Sequence, residues 1–191
     1  NAAASCSLEN ALLHLVEGQL SCDFATATAN AVIPWPLETP AGSTPFLPGA
    51  TVNAQGSVDL PGMVEAASSL IPMRENTQLL EGTMQFSVNQ QLDPNGRPTS
   101  QAKLQLAGLK AIADEQEIIW REPLTMAVFA NEVSDVLSIS ADVSAEFAEA
   151  KVEGTIDAGT LSGNVDLSLL QQRLSQWVEL PVREMQGTVG L

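Results

Sequence analysis

The tightest constraint on this chain is a period of two. Leu137, Ile139, Ala141, Val143, Ala145 and Phe147 alternate with Ser138, Ser140, Asp142, Ser144 and Glu146. Alternation of that length gives a β-strand one apolar and one polar face. Val152, Gly154 and Ile156 continue the pattern, as do Leu161, Gly163, Val165 and Leu167. Upstream, residues 50–60 place Val52, Ala54, Val58 and Leu60 on one face. Gly82 opens a strand with Met84, Phe86 and Val88 on one side, and Ala102, Leu104 and Leu106 mark its return. The turn between these two strands is Asp93-Pro94-Asn95-Gly96, the strongest hairpin signal in the chain. Leu20, Cys22 and Phe24, followed by Ala/Thr alternation to about Asn30, predict a further strand. Leu124, Met126, Val128 and Phe129 crowd residues 124–129 with apolar side chains, which predicts cover on both faces. Antiparallel sheets with one wet face produce this overall pattern.

Three short stretches switch to helical spacing. Leu8, Leu12, Leu15 and Val16 predict a helix over 7–16, with Ser7 as N-cap and Gly18 as its end. Pro61 fits the first turn of a second helix, with Met63, Val64, Ala67, Leu70 and Ile71 as its apolar face and Pro72 as its stop. Leu170, Leu174, Trp177 and Val178 predict the third, with Ser168 and Gln171 as a capping box. Pro34, Pro36, Pro40, Pro45 and Pro48 make residues 34–49 a loop. Its Trp35, Phe46 and Leu47 either pin it to the core or form a contact site.

The second and third helices belong to a repeat. Gly56-Ser57-Val58-Asp59-Leu60 recurs as Gly163-Asn164-Val165-Asp166-Leu167, an offset of 107 residues from 56 to 163. At that offset Met63, Ala67, Leu70 and Ile71 fall on Leu170, Leu174, Trp177 and Val178. Glu81-Gly82-Thr83 then corresponds to Gln186-Gly187-Thr188, at an offset two residues shorter. The predicted units are residues 50–88 and 145–191, with a partial unit at 7–30. A helix of about 11 residues is marginal alone, so each must lie on the sheet. The predicted class is therefore α+β, mostly β. It is a curved antiparallel sheet of repeated multi-strand units, each with a short amphipathic helix packed on or capping it. All 191 residues form one elongated unit, expected to be a piece of a longer protein.

The two GxVDL strands, their helices and the Gly-Thr strands resemble the AsmA/TamB-like superfamily of bacterial envelope proteins. The resemblance covers Gly56–Val88 and Ala145–Leu191, under half of the chain. It implies a curved sheet with an apolar inner face, a place in the periplasm or cell envelope, and a role in holding or conducting lipid or in outer-membrane assembly. The Pro-rich loop and the absence of an N-terminal membrane helix depart from that pattern.

Charge and composition narrow the partners. The net charge is −15, and the acids are spread along the chain. Such a surface repels phosphate backbones, so no nucleic-acid partner is expected. His14 is the sole histidine, and no nucleophile motif accompanies it. No catalytic residues, metal site or cofactor are expected. Asp59 and Asp166 recur at strand ends before helices, where capping explains them. Cys6 and Cys22 either form a disulfide, worth about 3 kcal/mol in the chain-entropy model, or remain two buried thiols. Met84, Phe86, Leu104, Leu106, Val143, Phe147, Val152 and Ile156 are either core or the lining of an apolar groove for acyl chains. A second reading is a scaffold that contacts the rest of its polypeptide or other envelope proteins.

Overall fold

The structure, a computed structural model, describes residues 1–35, 49–67, 76–133, 136–155, 157–176 and 186–190. Its strands run across one twelve-stranded antiparallel sheet almost in chain order. The first hairpin is β1 (Ala2–Glu9) and β2 (Leu12–Cys22), followed by β3 (Ala25–Pro34) and β4 (Thr51–Asp59). Helix α1 (Leu60–Ala66) leads into the long hairpin of β5 (Thr77–Leu92) and β6 (Pro98–Ala113). Next, β7 (Gln116–Trp120) and β8 (Leu124–Val133) pair with successive halves of β6, as one strand interrupted at 121–123. The chain continues through β9 (Val136–Ala145), β10 (Ala148–Thr155) and β11 (Gly159–Asp166). Helix α2 (Leu167–Leu174) and β12 (Thr188–Gly190) complete it. The sheet is open and curved, mostly β as its alternation predicts.

The period of two becomes rows of side chains across the sheet. Leu20, Ala27, Gly56, Phe86, Leu104, Met126, Val143, Ala150 and Gly163 are successive cross-strand partners. Directly opposed residues share a face, so this row is apolar from β2 to β11. Gly18, Ala29, Ala54, Val88, Ala102, Val128, Ala141, Val152 and Leu161 form the next apolar row. The opposite face carries polar rows, such as Thr28, Gln55, Ser87 and Lys103. On β8 the apolar run 124–129 does not signal burial on both sides. Met126 and Phe129 point to opposite faces, and both are exposed.

The main buried cluster sits at one end of the sheet. Leu60, Leu109, Ala111 and Trp120 form it, and Met63, Leu79, Ile118 and Phe147 pack around them. Helix α1 closes this end over β5. A Cβ on Gly82 would lie 2.8 Å from Leu109 Cδ2, and its φ of +154° favours glycine. Gly82 therefore does not open its strand. It sits inside β5 at a register irregularity, where Leu60 and Leu109 close over the backbone.

Both helices start on an aspartate. Asp59 Oδ2 accepts from Gly62 N at 3.0 Å, and Asp166 Oδ1 accepts from Leu169 N at 2.9 Å. The N-cap of α2 is thus Asp166, and the capping box expected from Ser168 and Gln171 is not formed. The helix positions Leu70, Ile71, Trp177 and Val178 lie outside the described residues.

The two units match in more than their motifs. Asp59 pairs with Thr83 across α1, and Asp166 pairs with Thr188 across α2. Asp59 N donates to Phe24 O at 2.7 Å, and Asp166 N donates to Phe147 O at 2.9 Å. Each phenylalanine occupies a tight turn, Asp23-Phe24 before β3 and Glu146-Phe147 before β10. The shared local structure therefore begins earlier than the GxVDL strand, at Asp23-Phe24-Ala25 and Glu146-Phe147-Ala148. The Pro-rich segment falls between β3 and β4. The equivalent β10–β11 connection is only 156–158.

The N-terminal segment departs from expectation. Residues 7–16 form no helix. They belong to β1 and β2, joined by a two-residue turn at Asn10-Ala11 with φ of 51° and 60°. Paired positive φ values match the right-handed twist of a hairpin. Pairing with β3 supplies the partner that an isolated ten-residue helix lacks. The alternation at Leu20, Cys22 and Phe24 is likewise two strands rather than one. It turns at Asp23-Phe24, just as the run through Phe147 turns at Glu146-Phe147.

Candidate functional site

The apolar rows lie open over much of their length. Leu20 is 58% exposed, Val88 38%, Met126 40%, Val152 41% and Leu161 51%. Isolated exposed apolar residues are ordinary, but a contiguous series on one sheet face marks a contact or ligand surface. An apolar depression of about 380 Å³ lies across β1 to β5. Its floor is Ala27, Ala29 and Ala54, whose short side chains leave a channel along the strands. Ala2, Ala3 and Ala4 of β1 with Leu15 and Leu20 of β2 line one side and Phe86 of β5 the other. From β1 to β5 is four strand spacings, about 19 Å. The Phe86 ring leans over Gly56, where a Cβ would lie 2.6 Å from Phe86 Cζ and 2.5 Å from Thr26 O. Gly56 thereby positions the wall.

The eight groove candidates divide into three groups. Phe86, Leu104, Val143 and Val152 stand in the open apolar rows. Met84, Leu106 and Phe147 pack against the buried cluster under α1 and do not line a groove. Phe147 belongs to the β9–β10 turn, and its ring centroid lies 5.7 Å from that of Trp120. Ile156 lies outside the described residues. Sequence reasoning missed the trough itself. Its signal is the run Ala25, Ala27, Ala29 and Ala31 facing Ala54 and Gly56, small residues on the face where neighbouring strands carry Leu, Phe and Val.

Cys6 and Cys22 are both free and exposed. Cys6 lies opposite Leu15, and Cys22 stands farther along the same β2 strand, beyond Leu20. Seven residues of extended chain span about 23 Å, far beyond disulfide reach. Neither the disulfide nor the pair of buried thiols is present.

Polar chemistry lies away from the trough. Arg173 Nη2 meets Glu146 Oε1 at 2.6 Å, tying α2 to the β9–β10 turn. Donating a hydrogen bond to Glu117, and the charge of that carboxylate, raise the pKa of half-buried Lys110, and Glu153 does the same for Lys151. His14 lies on β2 opposite Val32. Among the described residues, no three His, Cys, Asp or Glu side chains are grouped to hold a metal ion. No helix among them is long and apolar enough to cross a membrane. No protein-family model, curated protein or solved structure matches the chain.

Proposed function

We propose that this chain is a non-enzymatic binder of lipid acyl chains, held along the apolar face of its sheet. The observation that carries this reading is the open trough across β1 to β5, floored by alanines and continuous with exposed apolar rows. Each methylene removed from water there contributes about 0.8 kcal/mol. The floor demands no specific hydrogen bonds, which suits a polymethylene chain better than a polar substrate. The strand–helix–strand units that resemble the AsmA/TamB-like superfamily support a periplasmic or envelope setting and a part in moving lipid or assembling the outer membrane.

A second reading is a scaffold within a larger envelope assembly. It is favoured by β1, whose eight residues are all exposed and whose outer edge has no partner strand among the described residues. Such an edge can accept another strand.

Uptake of a fluorescent fatty acid separates the two, with mass spectrometry of lipid extracted from the purified protein as a second readout. Lipid handling requires saturable uptake that Val88→Lys reduces at least tenfold. Val88 is exposed, so that variant melts near the parent. No extracted lipid and no uptake would leave the scaffold reading.

A further inference from the structure

The sheet's other face holds a second feature, independent of the apolar trough. Over β3, β4, β5 and β6 lies a depression of about 460 Å³ on the polar side. Two cross-strand rows line it, Gln55–Ser87–Lys103 and Ser57–Gln85–Gln105. The chain carries 23 acidic residues, yet these two rows contain none over β4, β5 and β6, and the nearest acid along the Lys103 row is Asp142, beyond Ala127 on β9. Lys103 is their only charge. The other two lysines are paired, Lys110 with Glu117 at 2.7 Å and Lys151 with Glu153 at 2.7 Å. Among the described residues Lys103 makes no ion pair.

Phe129 adds a third element. Gln101 pairs with Phe129 and Lys103 with Ala127, so Phe129 stands diagonally beside Lys103 on the same face. It is 42% exposed, and its cross-strand partners Gln101 and Ser140 are polar. From β4 to β8 the surface spans three strand spacings, about 14 Å.

We infer that this polar face binds a short acidic oligosaccharide. Amides and hydroxyls on fixed strands match sugar hydroxyls, which both donate and accept. Lys103 meets a carboxylate in a depression whose lining holds no acid, where the surrounding surface is otherwise anionic. Phe129 offers an apolar plane to the C–H face of a sugar ring. A single cation among neutral groups suits a sparsely charged sugar chain rather than a densely charged polyphosphate.

NMR titration with tetragalacturonate, a hyaluronan tetrasaccharide and neutral maltotetraose tests this. At least one acidic probe is expected to give saturable shifts at Gln55, Ser87 and Lys103. Lys103→Gln and Phe129→Ser each weaken that binding at least tenfold and leave the melting temperature near the parent's. Lys151→Gln, on the same face but outside the depression, changes binding less than twofold. The inference is overturned if neither acidic probe saturates, if maltotetraose binds as tightly, or if Lys151→Gln weakens binding as much as Lys103→Gln.

Discussion

Asp59 and Asp166 show how a residue can recur without carrying chemistry. Each ends a strand in extended conformation and turns its carboxylate onto the first free N–H groups of a helix. Replacing either with alanine should lower stability by about 1 kcal/mol in chemical denaturation. Asp93 has a comparable role in the β5–β6 turn. Its Oδ1 accepts from Arg97 N at 2.9 Å and Asn95 N at 2.8 Å. Donation from Arg97 is the largest cause of its lowered pKa, with Asn95 adding to it. A lowered native pKa stabilises the fold above the unfolded value and loses that contribution as pH falls through the native one. Asp93→Asn should therefore flatten the stability–pH curve below about pH 4, and denaturation at several acidic pH values checks this.

At the scale of elements, the strands beyond β2 were legible, as was the β5–β6 turn at Asp93-Pro94-Asn95-Gly96, but other turns were not. Alternation located every apolar row because a half-buried sheet permits no other pattern. It concealed two turns, because Phe24 and Phe147 each fall in phase with the strand before them. The telltale is the slip that follows. Phe24 is adjacent to Ala25, and Phe147 to Ala148, after which the apolar positions change parity. The N-terminal segment failed for a different reason. Leu8, Leu12, Leu15 and Val16 satisfy helical spacing, but β3 offers backbone partners that outweigh local periodicity. Ala11→Gly distinguishes the two structures by sign. Glycine costs a helix about 1 kcal/mol but relieves the positive φ of a hairpin turn. Stability should rise by about 1 kcal/mol in thermal or urea unfolding, whereas a fall would restore the helix.

At the scale of the whole molecule, the sheet separates two surfaces by chemistry. Its small buried cluster gathers at the α1 end, while the apolar rows continue beyond it into solvent. The sequence distinguished the faces but not covered apolar residues from open ones. Met84 and Phe86 lie two residues apart on one strand, yet one packs beneath α1 and the other walls the trough. That difference depends on where the helix lands, which is a tertiary fact. The trough depends on alanines at positions that alternation marks only as apolar. The central claim is that this open face holds an acyl chain. Paramagnetic relaxation of methyl signals by doxyl-labelled stearate tests it most directly. Methyls of Ala29, Ala54 and Val88 should broaden at low stearate ratios, while those of Val32 and Ala127 on the opposite face stay sharp. Equal broadening on both faces, or none on either, would contradict it.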